Sequence, residues 1–393
     1  MSTLSYSYRV VNQELSQIAF LNEMASEMER KGEKVKKYSG GDPSHFPSEL
    51  KEMLSSTELL ADKSIMNYSP IAGFEELRTS LAEITNTRYC EEINYNNILV
   101  SSGGCSGLFL SLKTILNSND KVLIQDPSWE YLPKIIRNCQ GIPVNLEYSF
   151  SECDDWNQLL TEVRYHIQNG IKALVINSPL NPLGKVIPTH IINEMIKICN
   201  EFNVWFISDD VTVDFNYTSE SEQEITNLPN YISVQSFSKN LGLTGLRCGY
   251  VTGSKDFIDQ LKKSQLYTFM YPNSLMQKVL YRFLNHRDHL YEDFVQSAVE
   301  KYRKRANNYA QILSIIPALE VKSPEGGLFL FPRVREGYIM DVMELLAKSG
   351  VAVAPGSAFS PKYSDCFRVF LGVEEEDILL LQGKLESYFL KQL

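Results

Sequence analysis

The chain has few of the features that mark secreted, membrane-embedded or metal-binding proteins. No apolar run reaches the roughly 18 residues that a membrane-spanning helix needs. The polar segment Met1–Val10 lacks the apolar core of a secretory signal peptide. The seven cysteines are scattered and never spaced as Cys-x-x-Cys, a pattern typical of reduced thiols and not of disulfides or a zinc site. We therefore expect a cytoplasmic protein with no membrane partner and no bound metal.

Histidine and positive charge are also in short supply. His286 and His289, two of only five histidines, stand at helical spacing, but no cysteine or carboxylate motif surrounds them, which favours a solvated helix face over a metal site. Lys and Arg number 38 against 48 Asp and Glu, and the net charge of −10 argues against a nucleic-acid partner. Neither the G-x-G-x-x-G fingerprint nor a Walker loop occurs, which disfavours a nicotinamide-dependent dehydrogenase.

The middle of the chain alternates short apolar runs with amphipathic stretches of helix length, beginning near residue 97. This alternation predicts an α/β fold in which helices cover both faces of a mainly parallel, seven-stranded sheet. Ligands of such open sheets bind at the carboxyl ends of the strands. The predicted strands are Ile98–Ser101, Lys121–Gln125, Pro143–Leu146, Ala173–Ile176, Val204–Ser208, Ser233–Ser236 and Cys248–Thr252, and helices are predicted at Ser16–Lys31, Gly107–Leu116, Asp155–Gln168 and His190–Phe202.

The pattern changes after about residue 255, where a long helical region precedes shorter strand–helix passages. At 393 residues the chain is long enough for two or three domains. We predict a large domain over residues 46–275 and a smaller α/β domain over residues 276–393. The segment 1–45 is predicted to contribute to the small domain.

Two segments at predicted strand ends carry candidate binding chemistry. The glycine-rich turn Ser101–Gly107 lies between a strand and a helix, where free N–H groups suit a phosphate, although a plain tight turn explains it equally well. Ser236–Arg247 brings Lys239 close to the sheet, where a partly desolvated amine can lose a proton and attack a carbonyl. The alternative for Lys239 is an ordinary surface lysine.

Two further segments follow buried strands. Asn177–Gly184 is a turn-rich loop, and Asp209 and Asp210 come directly after an apolar strand. A carboxylate in that position needs a cation or a proton nearby. Taken singly, each of these residues is more readily explained as a cap or a turn residue.

Taken in order, these segments resemble the class I and II aminotransferases, which are pyridoxal 5′-phosphate (PLP) enzymes of fold type I, over nearly the full chain. The segments that carry the resemblance are Asn67–Arg78 (Y-x-P-x-x-G…LR), Ser102–Cys105, Asp126–Trp129, Asn177–Gly184 (N-x-P-x-N-P-x-G), Ser236–Arg247 (S-x-S-K with Arg eight residues after Lys), Pro324–Gly327 and Ala354–Arg368.

The resemblance implies an enzyme that moves an amino group between an L-amino acid and a 2-oxo acid. Lys239 is implied to carry PLP as a Schiff base and to shuttle the substrate proton, and Asp209 to pair with the ring nitrogen. The other implied cofactor residues are Gly103, Gly104, Cys105, Trp129, Asn181, Ser236, Ser238 and Arg247, with Tyr68 reaching the site of the partner subunit in a homodimer. The implied substrate residues are Arg368 and Asn181, with the backbone near Gly41.

Three positions depart from the family pattern, and the first affects the predicted reaction. Thr212 replaces a tyrosine that usually donates to the 3′-oxygen of the cofactor, Asp210 replaces a common glutamate, and Leu183 replaces threonine. Because the phenol is missing, three other activities toward an amino acid remain alternatives to transamination. These are a lyase, a cyclase, and an oxidase or desaturase. Arg9 is a candidate for binding a distal substrate carboxylate. A non-catalytic sensor module is disfavoured, because no helix-turn-helix domain precedes the fold and Lys239 and Asp209 are retained.

Overall fold

The computed structural model describes residues 6–11, 13, 15–89, 92–218, 229–286 and 289–392. Its strands are β1 (Lys36–Lys37), β2 (Ile98–Ser101), β3 (Lys121–Ile124), β4 (Ile142–Asn145), β5 (Ile171–Asn177), β6 (Trp205–Asp209), β7 (Tyr231–Ser236), β8 (Gly249–Gly253), β9 (Leu319–Glu320), β10 (Phe329–Leu330), β11 (Arg333–Val334), β12 (Val351–Ala352), β13 (Ala354–Pro355) and β14 (Phe367–Phe370).

Fifteen α-helices are present in the described residues, and four of them begin and end close to the positions that the sequence predicts. The fifteen are α1 (Tyr8–Val11), α2 (Gln17–Arg30), α3 (Ser48–Leu54), α4 (Thr57–Ala61), α5 (Glu75–Tyr89), α6 (Gly104–Ile115), α7 (Leu132–Asn138), α8 (Trp156–Gln168), α9 (Thr189–Glu201), α10 (Phe237–Asn240), α11 (Lys255–Leu266), α12 (Ser274–Leu284), α13 (Leu290–Ser314), α14 (Val342–Ser349) and α15 (Glu375–Leu390). The helical region after residue 255 is divided into α11, α12 and α13. Asn273, which follows Pro272, caps α12 by accepting a hydrogen bond from the Met276 N–H at 2.9 Å.

A seven-stranded sheet in the order β2-β8-β7-β6-β5-β3-β4 forms the centre of the fold. Strand β8 runs antiparallel to both of its neighbours, and the other pairs in the sheet are parallel. The predicted α/β fold with a mainly parallel seven-stranded sheet is therefore confirmed.

Alternate residues of β5 show how both faces of the sheet become buried. Leu174 and Ile176 pack into a cluster with α8 and α9, whereas Ala173 and Val175 pack into a second cluster with α6 and α11. A strand covered on both sides has no polar face, which explains why β5 appears in the sequence as a continuous apolar run.

The register of the sheet sets several polar side chains along one edge. Asn177 at the end of β5 lies opposite Asp209 at the end of β6. Gly249 of β8 lies opposite both Ser101 and Ser236, so the ends of β2 and β7 are two strand spacings apart. At about 4.8 Å per spacing, these strand ends lie within reach of one small ligand.

The C-terminal part of the chain builds a separate apolar cluster around small sheets. Strands β10, β14 and β13 form one antiparallel sheet, and β9 pairs with β11. Strand β1 from the N-terminal segment pairs in parallel with β12, which ties residues 36–37 to this part of the molecule. Arg368 of β14 lies opposite Ala354 of β13.

The division into residues 1–45, 46–275 and 276–393 remains a prediction. Helix α12 packs against α3 and α5, on the large-domain side of the predicted boundary. The long helix α13 contributes its first turns to that cluster and its later turns to the C-terminal cluster. Within the described ranges, no helix combines the length and the apolar character needed to cross a membrane.

Candidate active site

A cavity of about 560 Å³ lies at the carboxyl ends of β5, β6 and β7. Its walls come from the sheet edge, from the start of α6, from the segment after Asp126 and from the N-terminal residues before α3. Phe329 and Arg368 close it from the C-terminal part of the chain. Because the lining comes from segments distant in sequence, the folded chain is needed to assemble it.

Lys239 projects its amine into this cavity from the short helix α10, directly after β7. Its Nζ donates to the backbone oxygen of Gly41. Burial lowers the pKa of Lys239 from 10.5 to about 8, with smaller contributions from Asp42, which raises it, and from the Arg368 and Arg247 cations, which lower it. A large fraction of the amine is therefore uncharged only slightly above neutral pH, as a nucleophile or a base requires.

Asp209 ends β6 on the cavity wall. Burial raises the pKa of its carboxyl group to about 7, a smaller upward effect comes from Asp210, and the Val211 N–H at 3.4 Å opposes both. Asp210 points away into a buried pocket of hydroxyl groups, where it accepts hydrogen bonds from Ser208, Ser233 and Tyr89. The two neighbouring carboxylates therefore have different surroundings. Asp210 is held by three hydroxyl donors, whereas Asp209 faces the cavity.

The start of α6 and the Arg247 side chain meet at one end of the cavity. Gly103 caps α6 with a φ of 86°, and a Cβ there would lie 2.8 Å from Arg247 Nη2. A Cβ added at Gly104 would lie 2.5 Å from Val211 Cγ2 and 3.4 Å from Ser236 Cβ. Backbone N–H groups, a guanidinium and a hydroxyl thus surround a small space that suits an anion.

Arg368 occupies the opposite side of the cavity. Its Nη1 donates to Asn181 Oδ1 at 3.0 Å and its Nη2 to the Ser39 backbone oxygen at 3.1 Å. The guanidinium lies 3.9 Å from the centre of the Phe329 ring, and 6% of the residue is exposed. Among the described residues none accepts a hydrogen bond from its buried Nε, so the group retains capacity for an incoming anion.

Asn177 connects the sheet edge to the loop that carries Asn181. Its Oδ1 accepts from the Asn181 N–H at 3.0 Å, and its Nδ2 donates to the Asp209 backbone oxygen at 2.9 Å. The same Nδ2 lies 3.4 Å from the Thr212 hydroxyl. Loop, carboxylate and threonine are therefore held in one hydrogen-bonded unit.

The chain is similar to known proteins over most of its length. The model of aminotransferase class I and II matches residues 36–383. The chain belongs to this family. Members of the family depend on PLP, and the predicted aminotransferase activity is confirmed by the family and by its named relatives.

The similarity to individual aminotransferases is moderate and extends over most of the chain. The aspartate aminotransferase of Sulfurisphaera tokodaii is 27% identical over 330 residues, covering 81% of each chain. That of Pyrococcus horikoshii is 26% identical over 389 residues, covering 96% of each. The solved structure of Thermus thermophilus aspartate aminotransferase with maleate is 26% identical, with a TM-score of 0.88 over 98% of this chain and 100% of that one.

Most residues that the sequence predicts for the site of this aminotransferase line the cavity, while their individual roles remain predictions. Those on the wall are Gly41, Gly104, Cys105, Trp129, Asn181, Asp209, Ser236, Ser238, Lys239, Arg247 and Arg368. Gly103 is not part of the described lining but lies beside Arg247, because an added Cβ there would be 2.8 Å from Arg247 Nη2. Tyr68 lies elsewhere on the surface, 79% exposed, with its ring centre 4.6 Å from that of Tyr271. The side chain of Arg9 is outside the part of the chain that the structure describes.

The sequence did not predict several other wall residues of the aminotransferase. Asn177 could have been found, because it opens the N-x-P-x-N-P segment and ends a buried strand. Asp42 and Glu130 carry no such signal, because acidic side chains are usually exposed and only packing places these two on the cavity wall. Phe329 was also missed, since one aromatic in an apolar run resembles a core residue.

Proposed function

We propose that this aminotransferase binds PLP through Lys239 and moves an amino group between an L-amino acid and a 2-oxo acid. The observation that carries the proposal is the buried Lys239 amine, whose pKa of about 8 leaves it ready to react with an aldehyde near neutral pH. When bound, PLP supplies a conjugated ring that accepts electrons from the substrate Cα.

The residues present fit this cofactor at each of its polar groups. The N–H groups at the start of α6, with Arg247 and Ser236, are the proposed phosphate site, because a Cβ at Gly103 would fill the space beside the guanidinium. Trp129 is proposed to stack on the ring and Asn181 to bind the ring oxygen. Asp209 is proposed to hold a proton at the ring nitrogen, which a carboxyl group with a pKa of about 7 can share.

The residues proposed to act on the substrate lie on the other side of the cavity. Arg368 is proposed to bind the α-carboxylate, because no described residue accepts a hydrogen bond from its Nε. Two aromatic rings, Phe329 and Phe359, hold the guanidinium in place. Lys239, once free of the cofactor, is proposed to take and return the proton at Cα. The Gly41 backbone oxygen accepts a hydrogen bond from that amine and is proposed to orient it.

Thr212 supports the alternative reactions that the sequence leaves open. It lines the cavity and is 7% exposed, and its hydroxyl lies 3.4 Å from Asn177 Nδ2. Threonine is shorter than tyrosine, so its hydroxyl replaces the phenolic donor with a group of shorter reach and smaller volume. Elimination, cyclisation or oxidation of an amino acid therefore remains the second candidate for any substrate that does not complete transamination.

We also propose a homodimer in which Tyr68 contributes to the partner's site. Tyr68 is exposed and its ring contacts that of Tyr271, and the adjoining segment exposes Tyr267, Phe269 and Met270. Exposed aromatic and methionine side chains in one region are typical of an interface between subunits.

A cytoplasmic location is proposed as well, because the six cysteines that the structure describes are free.

A half-reaction tests the proposed function. Purified yellow enzyme is mixed with a panel of L-amino acids without any oxo acid, and its absorbance spectrum is followed. We expect stoichiometric loss of the yellow colour with at least one donor and its return when a 2-oxo acid is added. Ammonia release or oxygen uptake in place of that reversal would instead support the alternative reactions. The Lys239→Ala variant should not show the yellow colour, and a variant that retained it would contradict the assignment of the lysine.

A further inference from the structure

Glu130 is a buried carboxylate on the cavity wall with no role in the proposed function. It follows Trp129 directly and lines the same cavity as Arg368. Its side chain is 1% exposed. Oε1 accepts a hydrogen bond from Ser16 Oγ at 2.5 Å, whereas Oε2 accepts none from any described residue. One oxygen of this carboxylate is therefore hydrogen-bonded within the protein, and the other has no donor among the described residues.

The cation beside Glu130 does not satisfy the second oxygen. Lys134 Nζ lies 3.7 Å from Oε2, which is beyond hydrogen-bond distance, and a quarter of the lysine side chain is exposed. Buried carboxylate oxygens are ordinarily hydrogen-bonded, because removal from water without a donor is costly. A ligand that brings an N–H donor to this oxygen would therefore supply the hydrogen bond that the buried oxygen lacks.

The charges lining the cavity favour the same kind of ligand. The cations of the described lining are Lys239, Arg247 and Arg368, and the proposed function uses all three. That lining includes no further Lys or Arg to bind a second carboxylate of a substrate. Two acidic groups, Asp42 and Glu130, also line the cavity, where Asp42 acts electrostatically on Lys239 and Glu130 on Arg368. Of the two, only Glu130 has a buried oxygen that accepts no hydrogen bond from the described residues.

We propose that Glu130 binds a guanidinium or ammonium group at the end of the substrate side chain, so that the amino donor is a basic amino acid. The α-carboxylate is held by Arg368 and the distal cation by Glu130. This inference rests on the proposed function. It assigns a substrate class different from the one that the names of the aspartate aminotransferase relatives carry.

Glu130 also contacts the N-terminal segment, and this second role must be separated from substrate binding. Ser16 caps α2, donates to Glu130 and accepts from the Tyr131 hydroxyl at 3.1 Å, which joins the start of α2 to the cavity wall. The Ser16→Ala variant removes this link and keeps the Glu130 charge. The Glu130→Gln variant removes the charge and keeps the size of the side chain.

Matched donors test the proposal in the half-reaction of the cofactor-loaded enzyme. L-Ornithine and L-norvaline differ only by the terminal ammonium group, and L-aspartate represents a dicarboxylic donor. We expect kcat/KM for ornithine to exceed that for norvaline by about 100-fold in the wild type, and this ratio to fall to about one in Glu130→Gln. Ser16→Ala should keep the ratio. Arginine paired with citrulline gives a second comparison of the same kind.

Binding without turnover gives an independent measurement. 5-Guanidinopentanoate has the carboxylate and the guanidinium of arginine but no α-amino group, and pentanoate lacks the cation. Calorimetry should show tighter binding of the guanidino acid to the wild type, and Glu130→Gln should lose that difference. Preference for aspartate, or equal losses with both members of a pair in Glu130→Gln, would overturn the proposal. Failure of every donor to cause reversible bleaching would instead refute the proposed function itself.

Discussion

The buried amine of Lys239 should destabilise the folded, cofactor-free enzyme in a way that depends on pH. Burial lowers the pKa of this amine from 10.5 to about 8. Each pKa unit corresponds to about 1.4 kcal/mol, so the protonated lysine costs the folded state about 3 kcal/mol. Between these two values the unfolded chain binds more protons than the folded chain, and the free energy of unfolding therefore rises with pH in that window.

Replacing Lys239 with methionine isolates this effect. Methionine has a similar length and does not titrate, so Lys239→Met should be the more stable protein at neutral pH. The difference between the two unfolding free energies should shrink by about 2 kcal/mol between about pH 7.5 and about pH 9.5, because the wild type loses its buried charge over that range. Other titrating groups are common to both proteins and cancel in the difference.

Urea unfolding of both cofactor-free proteins, followed by tryptophan fluorescence at one protein concentration, measures this change. The Lys51→Met variant, which removes an exposed amine on α3, gives the baseline for loss of a lysine. A difference between Lys239→Met and wild type that stays constant with pH, or widens as the pH rises, would refute the reasoning. Either result would mean that burial does not lower the pKa of Lys239 in the folded protein.

Two further predictions concern the framework around the site and are measured by urea unfolding. Arg88→Met should lower the free energy of unfolding by about 3–5 kcal/mol, because it leaves the largely buried Asp214 carboxylate without its cation. Gly184→Ala should lower it by about 1–3 kcal/mol, since Gly184 has a φ of 69° and a Cβ would lie 2.4 Å from Pro324. The second variant should also lose activity, because this turn carries Asn181, which is proposed to bind the ring oxygen of the cofactor.

Each of these variants has a matched control. Arg164 pairs with Glu201 on the surface, where both side chains are about half exposed, and Arg164→Met should cost less than about 1 kcal/mol. Gly383 lies inside α15 with no heavy atom within 4 Å of its added Cβ, and Gly383→Ala should stabilise the protein by up to about 1 kcal/mol. Equal effects of a framework variant and its control would contradict the structural explanation.

The fold was predictable because its signals are local. The strand β5 is a continuous apolar run, and α8 and α9 are amphipathic stretches whose period matches a helix. Alternation of such segments restricts the fold to a mainly parallel sheet covered by helices. Residues that directly follow strands, such as Asp209 and Ser236, could then be assigned to one edge without knowledge of any contact.

The contacts across the site could not be predicted in the same way. Lys239 and Gly41 are 198 residues apart, Arg368 and Asn181 187, and Ser16 and Glu130 114. No periodicity links residues at such separations, because their proximity depends on how the C-terminal and N-terminal segments close over the sheet edge. The neighbouring carboxylates Asp209 and Asp210 show the same limit, since only packing directs one carboxylate to the cavity and the other to three hydroxyl groups.

The sequence alone therefore determined the sheet, its covering helices and the family motifs, because hydrophobic periodicity and turn residues act over a few positions. The tertiary structure decided which side chains lose water, and through that loss the lowered pKa of Lys239, the raised pKa of Asp209 and the half-satisfied carboxylate of Glu130. Desolvation is a property of the surrounding volume. It is set by segments more than a hundred residues away, and no local pattern in the chain records it.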